Sequence, residues 1–367
     1  MNTEKAAQNL GLNLEFLEAA IKRRTFSSEK HDGQEYLRLR HRTKHLEKGT
    51  VYFPEANETV RGFPKIRRVL CLKTGLEKHF TEFSAEEKMD GYNVRIAKIG
   101  TEIIALTRGG LVCPYSTFHA NTKEVRDFLK ENPTKVICAE FAGPLNPHVP
   151  HEYEGVDSID FFAFDIREKN TNKPMPVKER IALLDKFGLK KARFYGIYTP
   201  KDYEKVKAIL LELDKKGKEG LVLKDTNMSL QVKYTTANST RGDLSYAFKY
   251  PFEFAVEFMF RRIIREGFAA NEFKDTPEQL KERARKLGES ILLPMAETIA
   301  QVSKGNKVFE ENTVLDDESI GGLLASLEES GVKVDLEKAD GKVKIKRHHP
   351  ETNDRIKAYL AGDFCGE

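Results

Sequence analysis

Two charged motifs, each at the end of an apolar-alternating run, constrain this chain more than any other feature. They are Lys88-Met89-Asp90-Gly91 and, far downstream, Glu219-Gly220-Leu221-Val222-Leu223-Lys224. A lysine at a strand end before Asp-Gly suits an amine that attacks phosphorus, and a second strand bearing Glu and Lys suits a nucleotide held against it. Near neutral pH lysine is almost entirely ammonium. It must lose a proton before it can attack, which a neighbouring cation or a desolvated pocket favours. Arg95, Arg108, Lys224 and Lys233 are the candidate cations.

Further elements stand between and after the two motifs. Leu106-Thr107-Arg108-Gly109-Gly110 ends a strand with an arginine and two glycines, which let backbone approach a ligand closely. Cys138-Ala139-Glu140 delivers a lone carboxylate where an apolar strand emerges, suited to a ribose hydroxyl. Phe161-Phe162-Ala163-Phe164-Asp165-Ile166 is a short strand, one of whose rings can stack on a base, and Gln231-Val232-Lys233-Tyr234 sets a lysine on a strand. Taken singly, each has a plainer reading. Asp90-Gly91 is a turn signal, the phenylalanines are core, Glu140 is a solvated strand end, and Glu219 closes a charged helix. Their order along one chain favours a joint site.

In that order the motifs resemble those of the covalent nucleotidyltransferases, the superfamily of nucleic-acid ligases and RNA capping enzymes. The resemblance implies that Lys88 is the nucleophile that carries a nucleoside monophosphate, with Asp90 and Gly91 shaping its loop. It implies a phosphate-side role for Arg108, ribose binding by Glu140, and base stacking by Phe164, with Phe162 as the fallback. Glu219, Lys224 and Lys233 match the remaining motifs, although Gln231 stands where a second lysine is common. Asn93, five residues after Lys88, and Glu87 before it match the phage RNA ligase branch, and Glu87 is expected to face an adenine amino group. Arg61-Gly62-Phe63-Pro64-Lys65-Ile66 resembles the opening of several RNA ligase catalytic domains. Arg241 to Phe252 and the helical text after them resemble the homodimeric archaeal ATP-dependent RNA ligases. The implied activity is joining of RNA 5′-phosphate and 3′-hydroxyl ends, including circularisation, through lysyl-AMP. ATP is the implied substrate, with Mg²⁺ or Mn²⁺ and with Glu219 as a metal ligand. A DNA ligase, a GTP-using capping enzyme and a silent nucleotide-holding RNA-binding protein are the alternatives. Asn93 and a tail unlike an OB fold weigh against the first two, and retention of Lys88, Glu219 and Lys233 weighs against the third.

The 367 residues suffice for two or three domains and a sizeable core. A net charge of +4 is a mild basic excess, so an RNA partner would be held by a local patch and not by global charge. Lys22-Arg23-Arg24, Arg38 to Lys44 and Lys342 to His349 are such runs, and each reads first as solvated surface. No apolar run reaches membrane-spanning length, and the start lacks an apolar signal core. Cys71, Cys113, Cys138 and Cys365 are scattered, which suggests neither zinc nor a disulfide framework and favours a cytoplasmic setting. His148, His151, His348 and His349 read as surface. Glutamine is confined to Gln8, Gln34, Gln231, Gln279 and Gln301 amid abundant Lys and Glu, a bias that fits a thermophile.

The expected fold class is α+β: an ATP-grasp-like nucleotidyltransferase domain of antiparallel sheets flanked by helices, a helical dimerisation module and a small α+β C-terminal domain. The expected segments are 1–50, an N-terminal domain with an amphipathic helix over 9–24; 51–250, the catalytic domain; 251–315, the dimerisation module; and 316–367, the C-terminal domain. Strands are expected at 69–72, 93–97, 101–107, 136–140 and 161–166, and helices at 122–130, 202–216, 252–268, from Thr276 onward, and 319–330. A hairpin is expected through Asp340-Gly341. The apolar residues of 252–268 (Phe254, Val256, Phe258, Phe260, Ile263, Ile264) are too many for a lone surface helix. They point to a homodimer, or else to burial against the chain's own catalytic domain.

Overall fold

The computed structural model describes residues 2–329 and 332–365, and within them the chain forms four sheets with helices packed around and between them. The N-terminal segment does not form one helix. Gly11 takes a left-handed conformation (φ 66°) that ends α1 (Thr3–Leu10), and Asn13 caps a second helix, α2 (Leu14–Lys22). The two helices pack Leu10 and Leu17 on a sheet that the sequence patterning left unread. Its strands are β1 (Phe26–His31), β2 (Gln34–Leu39), β3 (Val51–Phe53) and β4 (Glu58–Val60), paired in that order.

The apolar run 69–72 is not a strand. Pairing is confined to β5 (Arg67–Arg68), after which Leu72 opens α3 (Leu72–His79). Leu72 and Leu76 stand one helical turn apart, and both bury into the core, so the run serves a helix face. In β6 (Phe83–Lys88) the pleat sends Phe83 and Ala85 into that core and leaves Ser84, Glu86 and Lys88 on the opposite face. A hairpin turning at Gly100 (φ 56°) joins β7 (Tyr92–Ile99) to β8 (Glu102–Thr107). Then come α4 (Pro114–Ala120), α5 (Lys123–Glu131), β9 (Lys135–Ala142), β10 (Asp160–Glu168) and α6 (Val177–Lys186). After them follow β11 (Phe194–Tyr198), α7 (Tyr203–Lys215), β12 (Gly220–Asp225), β13 (Gln231–Thr235) and α8 (Ala237–Lys249).

These strands make two sheets, β10-β9-β7-β8 and β11-β6-β12-β13-β5, antiparallel except for the β13–β5 pair. The expected α+β class and antiparallel character are found. α7 buries Tyr203, Val206, Leu210 and Leu213 against the five-stranded sheet, at the spacing of one helix face.

The helix expected from 252 begins later, as α9 (Val256–Phe273), with Phe254 outside it and against the Tyr246 ring. α10 (Pro277–Ser303) opens on a capping box between Thr276 and Gln279. β14 (Phe309–Leu315), α11 (Ile320–Glu329), β15 (Val334–Ala339), β16 (Lys342–His348) and α12 (Pro350–Leu360) complete the chain. Of the helix expected over 319–330, Ser330 lies outside the described residues. β14 pairs with β16, so the end of the 251–315 segment and the 316–367 segment share one sheet.

This last sheet is not a free appendage. Val314, Leu323, Val343 and Ile345 lie in one buried cluster with Val94, Ile96, Ile137 and Phe141 of the catalytic sheet. Each such side chain contributes about 1.5–3 kcal/mol when buried. Truncation after Asp316 is therefore expected to lower the melting temperature of the remaining chain and broaden its transition. An unchanged melting curve, followed by circular dichroism, would show instead that the C-terminal sheet is an independent unit.

Candidate active site

The two central sheets face one another across a cavity of about 440 Å³, within the size range of small-molecule sites. Strand register decides what lines it. β6 pairs with β12 so that Lys88 stands opposite Gly220 and Glu86 opposite Val222; Val222 in turn pairs with Lys233 of β13. Glu86, Lys88, Val222, Lys224 and Lys233 thereby share the cavity face. From the other sheet, β7 and β9 pair Asn93 with Glu140, and both line the cavity with Arg108 and Phe164. Glu87 lines it as well, and its carboxylate accepts a hydrogen bond from the Tyr195 hydroxyl at 3.2 Å. Glu219, one residue before β12, closes the set through an ion pair with Lys88. Eight of the candidate site residues thus line one cavity, and Glu219 joins them through Lys88.

Of the two candidate rings, Phe164 lines the cavity, edge-on to Phe63 at 5.3 Å, whereas Phe162 packs against Tyr153 at 5.7 Å. The β9–β10 register shifts between Ala163 and Asp165, leaving Phe164 as the extra residue of a bulge. Bulges re-aim side chains in this way. Gly91 is required by close approach, since a Cβ there would lie 2.0 Å from the Phe141 carbonyl oxygen of β9. Asp90 is fixed at both ends. Its N–H donates to the Tyr153 hydroxyl at 2.7 Å, and its carboxylate pairs with His151 at 2.9 Å.

The electrostatics differ from the expected pattern. Burial opposes the charge on Lys88, but Glu219 and Glu140, with Asp90, outweigh that and hold its pKa above the ordinary value. The depressed lysines are the other two. Lys233 is lowered to about 8 by burial and by Lys88 and Arg68. Lys224 is lowered to about 8 by burial and by Arg180. Glu140 is raised to about 8 by burial, against the pull of Lys88. Arg95 is not a site cation. It is fully buried beside the cavity and donates to the carbonyls of Arg61, Gly49 and Thr107, tying the N-terminal segment to β8.

Several residues of the site went unread in the sequence. Glu86 is buried between Arg180 and Lys224 and forms ion pairs with both, while Lys224 also donates to the Phe164 carbonyl. Its signal was the alternation Ser84-Glu86-Lys88, which puts it on the face of the nucleophile candidate. Arg180 comes from α6, with no local signal. His148 opens onto the cavity, edge-on to Tyr92 at 5.1 Å, and His349 is buried and stacked on Tyr250 at 3.8 Å. Neither is the plain surface histidine that was expected.

Asn93 Oδ1 is buried and lacks a hydrogen-bond partner among the described residues, so the cavity offers an unused acceptor beside Glu140. Among the described residues no three His, Cys, Asp or Glu side chains gather to hold a metal.

Two family models match this chain. One, described as RNA ligase, covers residues 81–250, and one described as the ligase Pab1020 C-terminal region covers 246–363. An uncharacterized protein of Methanocaldococcus jannaschii, MJ0414, is 37% identical over 98% of this chain and 95% of its own length. A solved structure titled archaeal ATP-dependent RNA ligase, in two forms, is 39% identical with a TM-score of 0.95, and all of each chain is covered. A structure titled putative ATP-dependent DNA ligase from Aquifex aeolicus is 29% identical with a TM-score of 0.86, covering 96% of this chain and 100% of that one.

Glu86 is the carboxylate that forms ion pairs with both Arg180 and Lys224. Breaking a buried pair from one side costs about 3–5 kcal/mol. Glu86→Gln is expected to destabilise the protein on that scale in chemical denaturation, and a loss below about 1 kcal/mol, the worth of an exposed pair, would contradict this account of the cluster.

Proposed function

The chain belongs to the archaeal ATP-dependent RNA ligase family, and on that footing we propose that Lys88 is the residue that becomes adenylylated. The observation that carries the reading is the Lys88–Glu219 ion pair on the polar wall of the cavity. Glu219 keeps Lys88 as an ammonium at rest, which leaves the amine unreactive until the carboxylate is drawn elsewhere. The reaction is then three displacements. Lys88 Nζ bonds to the ATP α-phosphorus as the bond to pyrophosphate breaks. The RNA 5′-phosphate takes the AMP from Lys88, giving a 5′-5′ pyrophosphate linkage. The RNA 3′-hydroxyl attacks that activated phosphate, and AMP leaves. On circularisation both ends belong to one strand.

Charge gathers on phosphoryl oxygens at every step, so the protein contributes mainly positioning and electrostatic stabilisation. Lys224 and Lys233 meet the α-phosphate from β12 and β13. Arg108, exposed at the rim, reaches outward from it. Glu140 and Asn93 hold the ribose, Phe164 stacks on the adenine, and Glu87, steadied by Tyr195, faces the adenine amino group. A Mg²⁺ or Mn²⁺ ion arriving with ATP suits a site of this donor set, because Mg²⁺ is commonly held by one or two carboxylates plus substrate phosphates. Glu219 would hold it, and when bound it supplies neutralisation of triphosphate charge.

The chain's division into 1–50, 51–250, 251–315 and 316–367 is kept as a division of labour, with chemistry in the second segment and self-association in the third. No described helix is long and apolar enough to cross a membrane, and the free cysteines accord with work in a reducing cytoplasm. Val256, Phe260, Ile264 and Phe268 recur every fourth residue along α9 and are 73%, 58%, 37% and 41% exposed. Leu292 and Leu293 of α10 are similarly bare, at 59% and 61%. An apolar face of this extent suits a two-fold partner of the same chain.

Lys88→Ala is expected to abolish labelling by α-³²P ATP while still joining pre-adenylylated RNA; labelling retained by that variant would overturn the assignment. Sedimentation at micromolar protein is expected to show a dimer that Phe260→Glu dissociates. A wild-type species near 41.8 kDa would rule the dimer out.

A further inference from the structure

The polar face of the cavity does not end at Lys233. Lys233 of β13 pairs directly with Arg68 of β5, so the row Glu86, Val222, Lys233, Arg68 crosses four strands on one face. Thr235 lies two residues further along β13, on the same face, and its hydroxyl accepts from Arg68 Nη1 at 2.6 Å. Just beyond, α9 closes over the sheet and leaves a cavity of about 70 Å³ that Arg68, Thr235, Thr236 and Arg265 help to line. That volume holds several water molecules, and so one phosphoryl group.

Arg265 is the unusual member. Its Nε and Nη1 atoms are buried and have no hydrogen-bond partner among the described residues. Buried guanidinium donors are almost always paired, and leaving such a group unpaired is costly. Burial, reinforced by Arg68 and Arg262, lowers the Arg265 pKa to about 10, and burial with Arg262 lowers that of Arg68. Asp214, which also lines the cavity, accepts from the Asn238 N–H at 2.8 Å, and three further carboxylates near the cluster are each paired to another cation. Glu266 pairs with Arg283 at 2.7 Å and Arg241 at 3.4 Å, Asp243 with Arg262 at 2.7 Å, and Glu219 with Lys88. Two arginines from separate parts of the chain thus converge on one small cavity, and Arg265 keeps two donors there without a partner among the described residues.

We infer that Arg68 and Arg265, with the Thr235 hydroxyl beside them, form a second phosphate subsite at the outer end of the nucleotide cavity, assembled jointly by β5 of the catalytic sheet and α9 of the C-terminal region. The inference rests on the assignment of Lys88 as the adenylylated residue. The ligand is a phosphoryl group carrying negative charge. Two sources supply that chemistry: the pyrophosphate end of ATP, and the 5′-phosphate of RNA before it accepts AMP. In either case α9 is more than a dimer face, since it completes the active site of its own chain.

The full-length protein with Mg²⁺ separates these sources. Arg265→Ala, Arg265→Gln and Arg68→Ala are each assayed for three rates: lysyl-AMP formation against ATP concentration, transfer of preformed AMP to 5′-phosphorylated RNA, and joining of pre-adenylylated RNA. If the subsite holds the pyrophosphate end, lysyl-AMP formation falls at least tenfold with a raised KM for ATP. The pyrophosphate concentration needed to reverse it rises in parallel, and joining of pre-adenylylated RNA is unchanged. If it holds the RNA 5′-phosphate, lysyl-AMP formation is unchanged, and transfer falls at least tenfold with a raised KM for RNA. All three rates within twofold of the wild type in every soluble variant would overturn the inference. So would an equal fall in all three accompanied by a lower melting temperature, which is the mark of a merely structural role. A wild-type protein that forms no lysyl-AMP would instead defeat the assignment of Lys88.

Discussion

Antiparallel pairing of β6 with β12 is the constraint on which the site depends. It puts Lys88 opposite Gly220, and the missing side chain matters there, because a Cβ on Gly220 would lie 2.2 Å from the Tyr234 carbonyl oxygen. The same pairing carries Glu219 to the Lys88 ammonium and Lys224 to Glu86. A one-residue slip would turn every one of these charges to the opposite, apolar face of the sheet. Register is held by that opposite face, where Phe83, Ala85, Leu221 and Leu223 are buried under α3 and α7.

The charges come at an energetic cost that the surrounding helices offset. Glu86, Lys224 and Arg180 are withdrawn from water together, one carboxylate between two cations. Such a cluster adds little net stability, but it holds Lys224 rigid on the cavity wall. The excess positive charge persists along the wall through Lys233 and Arg68 to Arg265. This is the disposition expected where phosphates are the common element of every reactant, and it explains why cations outnumber general bases here.

The C-terminal region is bound into this arrangement at several points. Glu272 of α9 accepts from the Tyr234 hydroxyl and the Lys73 N–H, at 3.1 and 2.8 Å. The C-terminal sheet buries Val314 and Val343 with the β7–β9 core, and Asn312 donates to the Pro147 carbonyl in the loop that leads to His148. The segment thus touches the five-stranded sheet on one side and the loop before His148 on the other, while one stripe of α9 remains bare.

Local sequence carried the strand ends and the residue types of the site. The apolar run from Val136 into Glu140, the alternation of Asn93 to Ala97, the turn at Gly100 and the Thr276 cap all depend on nearest neighbours, so they were legible. So was the set Lys88, Glu140, Phe164, Glu219, Lys224 and Lys233, because ordered motifs mark strand ends that must meet. The break at Gly11 and the Asn13 cap are local signals that went unread, whereas the helix at Leu72 was not legible, since tertiary burial decides which face a short apolar run serves. Nor did the sequence reveal that Lys88 would be the raised lysine and Lys233 the lowered one: a pKa depends on which charges fold brings within a few ångströms. Arg180 and Arg265 lie on helices remote from the motifs, and nothing in their own neighbourhoods marks them. The linear chain therefore determined which chemistry is available and on which strands it sits. Only the packing of helices over the sheets decided which charges are shared, which are left over and how each is poised, because electrostatic energy depends on distance and burial and not on position in the chain.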